Sequence, residues 1–130
     1  MWPFRRLSLG SRGERIARGR LRSSGYKILA APYLCKVGEI DIVASKSSMV
    51  VFVEVKTRRS DHFGEPELAV DQEKRRRITK TAVHFLKTHK LIDCGVRFDV
   101  IAILLESGWF SKPVVRHIES AFDAEGSWSL

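Results

Sequence analysis

The sequence predicts an α/β domain in which a mixed β-sheet of about five strands is flanked by helices. Two runs of alternating or β-branched residues, 38–44 and 49–57, are joined by a short polar link and indicate a β-hairpin. A capping box predicts a helix over residues 11–24 before this hairpin, and helical hydrophobic spacing predicts another at 72–91 after it. Two further runs typical of β-strands come last. Helices and strands that alternate in this way favour a mixed sheet with helices packed on it.

The chain has the usual size of one domain, because its 130 residues are enough to bury a core without disulfides or structural metal. We expect that domain to span residues 11–123. A basic tail at 1–10 would precede it, and a loose tail at 124–130 would follow it.

The first predicted helix starts at a capping box formed by Ser11 and Glu14, whose side chains would satisfy free amides at the helix start. It should run to about Ser24. Gly25 then suits the left-handed conformation that ends many helices.

The strands come next. Residues 26–34 predict a first strand, in which Pro32 indicates an edge position or a bulge because proline donates no ladder hydrogen bond. The hairpin of residues 38–44 and 49–57 follows, linked by residues 45–48. Residues 58–66 predict a loop.

The second half of the chain predicts an amphipathic helix and two more strands. Asp71 is placed to cap a helix over residues 72–91, whose apolar residues recur at helical spacing behind a basic start. Residues 97–105 predict a buried strand and 114–122 a final edge strand, with Ser107-Gly108 opening the turn between them.

The charge indicates an anionic partner. The formal net charge is +8 and the isoelectric point is near 9.9. Against one acid, Glu14, the first 22 residues hold a cluster of arginines: Arg5, Arg6, Arg12, Arg15, Arg18, Arg20 and Arg22. Such a cluster suits the phosphates of nucleic acid, but anionic lipids and acidic proteins attract the same surface. A solvated basic surface with no partner is the alternative.

Cysteine usage and hydropathy favour the cytoplasm. Cys35 and Cys94 are far apart and stand in no metal-binding or disulfide pattern. The scattered histidines predict no zinc site. The start of the chain lacks the apolar core of a signal peptide, and the run at 100–105 is too short to span a bilayer. We therefore expect a cytoplasmic protein with no membrane partner.

The hairpin carries the candidate chemistry. A two-residue turn at Ser47-Ser48 would set Asp41 opposite Glu54 and Glu39 opposite Lys56, with Cβ atoms about 5 Å apart. Alternation would place Ile40 and Ile42 together on the other face.

Two carboxylates that converge on a sheet repel each other, so a proton, Lys56 or a divalent cation should compensate. Mg²⁺ or Mn²⁺ fits oxygen ligands from Asp41 and Glu54, with Glu39 and the Val55 carbonyl as weaker candidates. A metal-bound water beside a lysine is a means of hydrolysing a phosphodiester. The alternative is an ordinary solvated face with a Glu39–Lys56 pair, although Phe52 on the acidic face argues that this strand is covered.

Basic residues flank this hairpin in sequence. Arg58 and Arg59 follow the second strand, and residues 74–77 open the second helix. We take Arg58, Arg59, Lys74 and Arg75 as candidate phosphate contacts, on the condition that the helix start approaches the hairpin. Otherwise they form an exposed basic face.

Several segments resemble the YraN-like uncharacterised bacterial proteins: Gly13-Glu14, residues 38–44, residues 51–58, Phe63-Gly64-Glu65-Pro66 and Arg97-Phe98-Asp99-Val100. That family is similar to the restriction-endonuclease-like superfamily, including archaeal Holliday-junction resolvases, whose metal site has an acid on one strand and Glu-x-Lys on the next. Asp41, Glu54 and Lys56 match those places, and Glu14 matches a glutamate of the first helix. Ala31-Pro32 depart from the family pattern.

The resemblance implies a restriction-endonuclease-like fold and a Mg²⁺- or Mn²⁺-dependent nuclease acting on DNA rather than RNA, with branched DNA as the analogy and a homodimer as a plausible assembly. Catalytic roles would fall to Asp41, Glu54, Lys56 and Glu14, unless Glu14 serves only as a cap. Two alternatives remain open: a nucleic-acid-binding adaptor without catalysis, and a protein-interaction module that uses a sheet edge.

Overall fold

In the part of the chain that the structure describes, the main sheet is mixed and has five strands in the order β1-β4-β5-β6-β7, which confirms the predicted class. In the computed structural model, residues 9–59, 70–106, 112–126 and 128 are described. Its elements are α1 Leu9–Ser23, β1 Lys27–Ala30, β2 Tyr33–Leu34, β3 Glu39–Ile40, β4 Ile42–Lys46, β5 Met49–Arg59, α2 Gln72–Thr88, β6 Gly95–Leu105 and β7 Val114–Phe122. Strands β5 and β6 run parallel, and the other neighbours run antiparallel.

Helix α1 is already formed at Leu9, so the predicted capping box is wrong: Ser11 lies inside the helix rather than before it. The predicted C-terminal end is confirmed. Gly25 has φ 91°, and the amide of Tyr26 donates to the carbonyl of Leu21 at 2.9 Å. A glycine in this conformation closes the helix and turns the chain into β1.

The edge position predicted from Pro32 is confirmed. Strand β1 ends the five-strand order, and its register on β4 shifts between Ile28 and Ala30, as a bulge does. After the cis Ala31–Pro32 peptide the chain forms β2, which pairs with β3 in a separate two-stranded sheet. The predicted first strand is therefore divided into two.

The hairpin has the predicted turn and register. Lys46 pairs with Met49 around Ser47-Ser48, and the β4–β5 ladder continues to Ile42 opposite Val53. There the ladder stops, because Ile40 pairs with Tyr33 of β2 instead. The predicted opposition of Glu39 and Lys56 is thus wrong, since Glu39 lies in the small sheet.

The break also corrects the predicted face of Ile40. Ile40 packs in the core cluster beneath α2, whereas Ile42 packs in the cluster beneath α1. One bend at Asp41 therefore reverses the alternation that an unbroken strand would keep.

Strand β5 is covered on both faces, as the sequence indicated. Phe52 packs towards α2 with Phe85 and Phe98, while Val51 and Val53 pack towards α1. A strand buried on both sides has a nearly continuous apolar sequence. Any charged side chain on it must be neutralised locally.

Helix α2 begins as predicted, because the Asp71 carboxylate accepts the amide of Lys74 at 2.8 Å. It ends at Thr88, a few residues earlier than expected, and the β7 bounds match the prediction. The predicted loop beyond residue 59 and the turn at Ser107-Gly108 lie outside the described residues.

Asp99 joins β6 to β7 at a register shift. Arg97 donates to its two oxygens at 2.9 and 2.8 Å, His117 Nε2 lies 2.7 Å away, and the amide of Ser120 donates at 3.0 Å. Burial raises the pKa of Asp99, but these bonds outweigh burial and keep the pKa below its usual value. Asp99 is fully buried and bonded to several partners, so we assign it to holding the strands together.

The C-terminal tail is held at the points that the structure describes, in contrast to the expectation that it is loose. The amide of Glu125 donates to the buried Thr79 hydroxyl at 2.9 Å, and the Trp128 ring lies edge-on to Phe98 at 6.1 Å. Within the described residues, none of the helices is long and apolar enough to cross a bilayer.

Gly13 brings α1 into contact with β5. A Cβ at this position would overlap the Thr57 side chain, whose own Cβ would lie 2.9 Å away. The glycine therefore permits a close approach of the helix backbone to the strand. Its consequence is the position of the next residue, Glu14.

We expect Gly13→Ala to lower the free energy of unfolding by about 1–3 kcal/mol, because the added methyl group overpacks the α1–β5 contact. Gly19→Ala is the matched control, since nothing lies within 4 Å of a Cβ built there. That variant should gain up to about 1 kcal/mol from helix propensity. Urea unfolding of both variants checks this, and equal effects would contradict the close approach.

Candidate metal centre

Asp41 stands where the hairpin ladder ends. The amide of Val55 would otherwise face the departing strand, and the Asp41 carboxylate accepts it through Oδ2 at 2.8 Å. The Asp41 side chain thus accepts the hydrogen bond that a backbone carbonyl would accept if the ladder continued. This hydrogen bond holds the Asp41 carboxylate beside β5. The register that pairs Ile42 with Val53 brings Asp41 next to Glu54.

Glu54 is a buried carboxylate on β5, and its partner is a lysine of α2. Lys74 Nζ lies 2.6 Å from Glu54 Oε1, with 10% of the Glu54 side chain exposed and 43% of the Lys74 side chain exposed. Burial lowers the pKa of Lys74, but its hydrogen bond with Glu54 and the charges of Glu54 and Asp41 outweigh this and raise the pKa above its usual value. Lys74 is therefore the cation that neutralises Glu54 in the protein alone.

The environment of Asp41 favours its protonated form. Burial, the nearby charge of Glu54 and, to a smaller extent, the charge of Glu14 raise the pKa of Asp41 to about 7. The Val55 amide and Lys74 act in the opposite direction without cancelling the shift. A carboxyl group that titrates near neutral pH beside a second carboxylate marks a candidate functional site.

Glu14 of α1 acts on this site through its charge. It is half-buried, and its charge acts on Asp41 although the two residues lie on different elements. Because the helix begins before Ser11, a capping role does not account for Glu14. The close approach at Gly13 explains how α1 places this carboxylate near the end of the hairpin.

Glu39 and Lys56 are less closely associated with the two carboxylates than Lys74 is. Glu39 is exposed in β3 and lines the same cavity as Asp41 and Glu54. Lys56 is half-buried two residues after Glu54, so alternation puts it on the same face of β5. Among the described residues it is not part of the cavity lining.

The predicted phosphate contacts divide into different groups. Lys74 enters the site, whereas the Arg75 Nε donates to the Val70 carbonyl at 2.6 Å and is used within the fold. Arg77, one helical turn after Lys74, lines the cavity. Arg58 and Arg59 are exposed at the end of β5.

The carboxylates open onto a cavity of about 370 Å³ between the hairpin and α2. Among the described residues, its lining consists of Gly38, Glu39, Asp41, Glu54, Lys74, Arg77 and Ile78. Gly38 approaches α2 closely, because a Cβ there would lie 2.7 Å from the Thr81 hydroxyl. The acidic residues of this lining come from the hairpin region, and the basic residues come from α2.

The donor set fits a hard divalent cation. Within the parts of the chain that the structure describes, no three His, Cys, Asp or Glu residues form a metal cluster. Mg²⁺ commonly takes only one or two carboxylates and completes its shell with water and substrate phosphate. Asp41 and Glu54 supply those carboxylates. The Val55 carbonyl points to the same side of the strand as its amide, towards Asp41.

Sequence reasoning missed the pairing of Lys74 with Glu54 and treated residues 74–77 as one basic set. Helical phase contains the missing signal, because Lys74, Arg77 and the buried Ile78 are spaced three and four residues apart and share one face. Arg75 and Arg76 lie off that face.

Comparison with known proteins gives a consistent family assignment. The model described as "Uncharacterised protein family UPF0102" matches residues 13–103. A UPF0102 protein of Geobacter metallireducens is 46% identical over 116 residues, which covers 89% of this chain and 93% of that protein. Those of Pelobacter propionicus and Caldanaerobacter subterraneus are 49% and 42% identical, over 88% and 94% of this chain and 81% and 100% of those proteins.

We expect Asp41→Asn to stabilise the metal-free protein at pH 8 by as much as a few kcal/mol, since one pKa unit corresponds to about 1.4 kcal/mol. The folded-state pKa of Asp41 is raised from 3.8 to about 7. Its contribution to stability is therefore complete below pH 3.8 and lost as pH rises towards 7. An amide that cannot ionise avoids that loss.

Urea unfolding of both proteins from pH 4 to pH 8, with a chelator present, measures the difference. The two proteins should agree at the acidic end and separate as pH rises. A constant difference across the range would contradict the raised pKa.

Proposed function

This chain belongs to the uncharacterised protein family UPF0102, whose name assigns no activity, and we propose from its site that it is a metal-dependent nuclease. The proposed reaction is hydrolysis of a phosphodiester bond in DNA, with branched or structured DNA as the substrate suggested by analogy. The proposed cofactor is Mg²⁺ or Mn²⁺, and the proposed setting is the cytoplasm.

The convergence of Asp41 and Glu54 is the observation that carries this proposal. One carboxyl group has a pKa of about 7, and the other is buried against a lysine ammonium 2.6 Å away. Two carboxyl groups brought together in a partly buried site repel each other and need positive charge, which here comes from a single lysine. If Asp41 and Glu54 had only a structural role, two apolar side chains would stabilise this covered part of the sheet at least as well.

Each residue of the site would have a separate role in hydrolysis. The bound cation would supply charge neutralisation and a water molecule of lowered pKa. Asp41 and Glu54 would hold that cation at the end of the hairpin, and Lys56 lies on the face of β5 that bears Glu54. Lys56 would stabilise the attacking hydroxide or the negative charge of the phosphoryl group. Glu14 adds negative charge beside Asp41 and favours the cation further.

A basic surface on α1 supports nucleic acid as the partner. Helical phase puts four arginines on the side opposite the buried Gly13, Ala17 and Leu21: Arg12, Arg15, Arg18 and Arg22. From the first to the last, this row extends about 15 Å along the helix. Among the described residues, none of the observed ion pairs neutralises it.

The resemblance to restriction-endonuclease-like enzymes supports the same proposal. In that resemblance Asp41 matches the acid of one strand, and Glu54 and Lys56 match the Glu-x-Lys of the next. The hairpin register that sets Asp41 beside Glu54 is consistent with it. The analogy with resolvases, which act on two strands, suggests that this chain works as a homodimer. The alternative function is a nucleic-acid-binding adaptor, favoured by the basic row on α1 and needing no metal.

The test combines Mn²⁺ titration calorimetry with cleavage of a labelled branched DNA. The wild type should bind Mn²⁺ and cut, and the Asp41→Asn/Glu54→Gln variant should lose metal binding and at least about a hundredfold in cleavage rate. The control is Asp93→Asn/Glu106→Gln, which removes the same two charges from exposed positions and should behave as the wild type.

Two results would count against the nuclease proposal. Absence of Mn²⁺ binding by the wild type would refute it. DNA binding that is equal in all three proteins, without cleavage, would favour the adaptor instead.

A further inference from the structure

The cation beside Glu54 in this structure is supplied by the protein itself. Lys74 is a residue of the exposed start of α2, yet its ammonium group lies 2.6 Å from the buried Glu54 carboxylate. A divalent cation held by Asp41 and Glu54 needs the same carboxylate oxygens. The Lys74 ammonium and the cation are therefore competitors for Glu54.

We propose that Lys74 is a two-position residue, which neutralises Glu54 in the absence of metal and moves to the substrate phosphate when the metal binds. This inference rests on the proposed nuclease function and deepens it. It makes Lys74 a residue that links metal loading to binding of the phosphodiester.

The first position follows from electrostatics. Glu54 lies on a strand covered on both faces, and a buried carboxylate without a partner costs several kcal/mol. Of the described residues that line the cavity beside it, Lys74 and Arg77 are the basic ones. Lys74 meets this need at hydrogen-bond distance, which also keeps the carboxylate of Glu54 oriented towards the cavity.

The second position follows from the lining of the cavity. Lys74 is 43% exposed in its side chain, so the ammonium group lies at the mouth rather than in the core. Arg77 lines the same cavity one helical turn away. A phosphate that approaches the carboxylates would thus meet two cations from α2. When a divalent cation satisfies Glu54, the Lys74 ammonium is repelled by the metal and attracted by the phosphate.

Reciprocal effects on binding follow from this exchange. Metal binding should strengthen DNA binding, and DNA should strengthen metal binding by the same factor. Part of this coupling comes from the metal's own contact with phosphate. The remaining part should depend on Lys74, and it disappears when the side chain has no charge.

The experiment measures Mn²⁺ affinity of the full chain by calorimetry without DNA, in Lys74→Met, Lys74→Arg and Lys80→Met. Lys74→Met should bind Mn²⁺ about tenfold more tightly than the wild type, because the competing ammonium is gone. Lys74→Arg should stay close to the wild type. Lys80→Met removes the same charge from an exposed position on α2 and should change the affinity less than twofold.

A second titration measures the affinity for a short DNA duplex with and without Mn²⁺. The enhancement by Mn²⁺ should fall severalfold in Lys74→Met and persist in Lys80→Met. Thermal melting of each variant establishes that it is folded before titration.

The outcomes separate this inference from the function on which it rests. Equal or weaker Mn²⁺ binding by Lys74→Met, relative to a wild type that binds, would overturn the role of Lys74 alone. No Mn²⁺ binding by either protein would overturn the nuclease proposal and the inference with it. Tighter binding by Lys74→Met together with a loss of coupling supports both.

Discussion

The carboxylate of Glu54 on a strand covered on both faces is the constraint around which this protein is arranged. Phe52 and Val53 next to it are fully buried, so the backbone of β5 cannot move to return Glu54 to water. The charge must be met from neighbouring elements. Lys74 of α2 supplies the positive partner, and the end of the β4 ladder supplies the second carboxylate, Asp41.

The elements around Glu54 are positioned by specific local contacts. The chain leaves the hairpin at Asp41 to pair with β2, which frees the Val55 amide for the aspartate side chain. Helix α2 is capped by Asp71 three residues before Lys74, so the start of the helix and its lysine are fixed together. Helix α1 packs closely at Gly13, and Glu14 comes with it.

Much of the fold was predictable, because its signals are local. The turn at Ser47-Ser48 sets the register by counting residues, and this count alone placed Asp41 beside Glu54. Gly25 and Asp71 mark a helix end and a helix start by their own chemistry. The face of Ile40 was not predictable, because its pairing with Tyr33 depends on a second strand that is distant in sequence.

The site was predictable only in part for the same reason. Asp41, Glu54 and Lys56 follow from strand alternation and register, whereas the Lys74–Glu54 ion pair depends on how α2 lies across the sheet. For Glu14 the sequence left two roles open, a site carboxylate or only a helix cap, because its spacing from Ser11 also fits a capping box. The earlier start of α1 removes the capping role.

The most direct measurement is a crystal structure of the protein soaked with Mn²⁺, using anomalous scattering to locate the metal. We expect a Mn²⁺ peak between the carboxylates of Asp41 and Glu54, with the Lys74 ammonium withdrawn from Glu54. Mn²⁺ bound elsewhere, or carboxylates that keep Lys74 and no metal at high Mn²⁺ concentration, would contradict it.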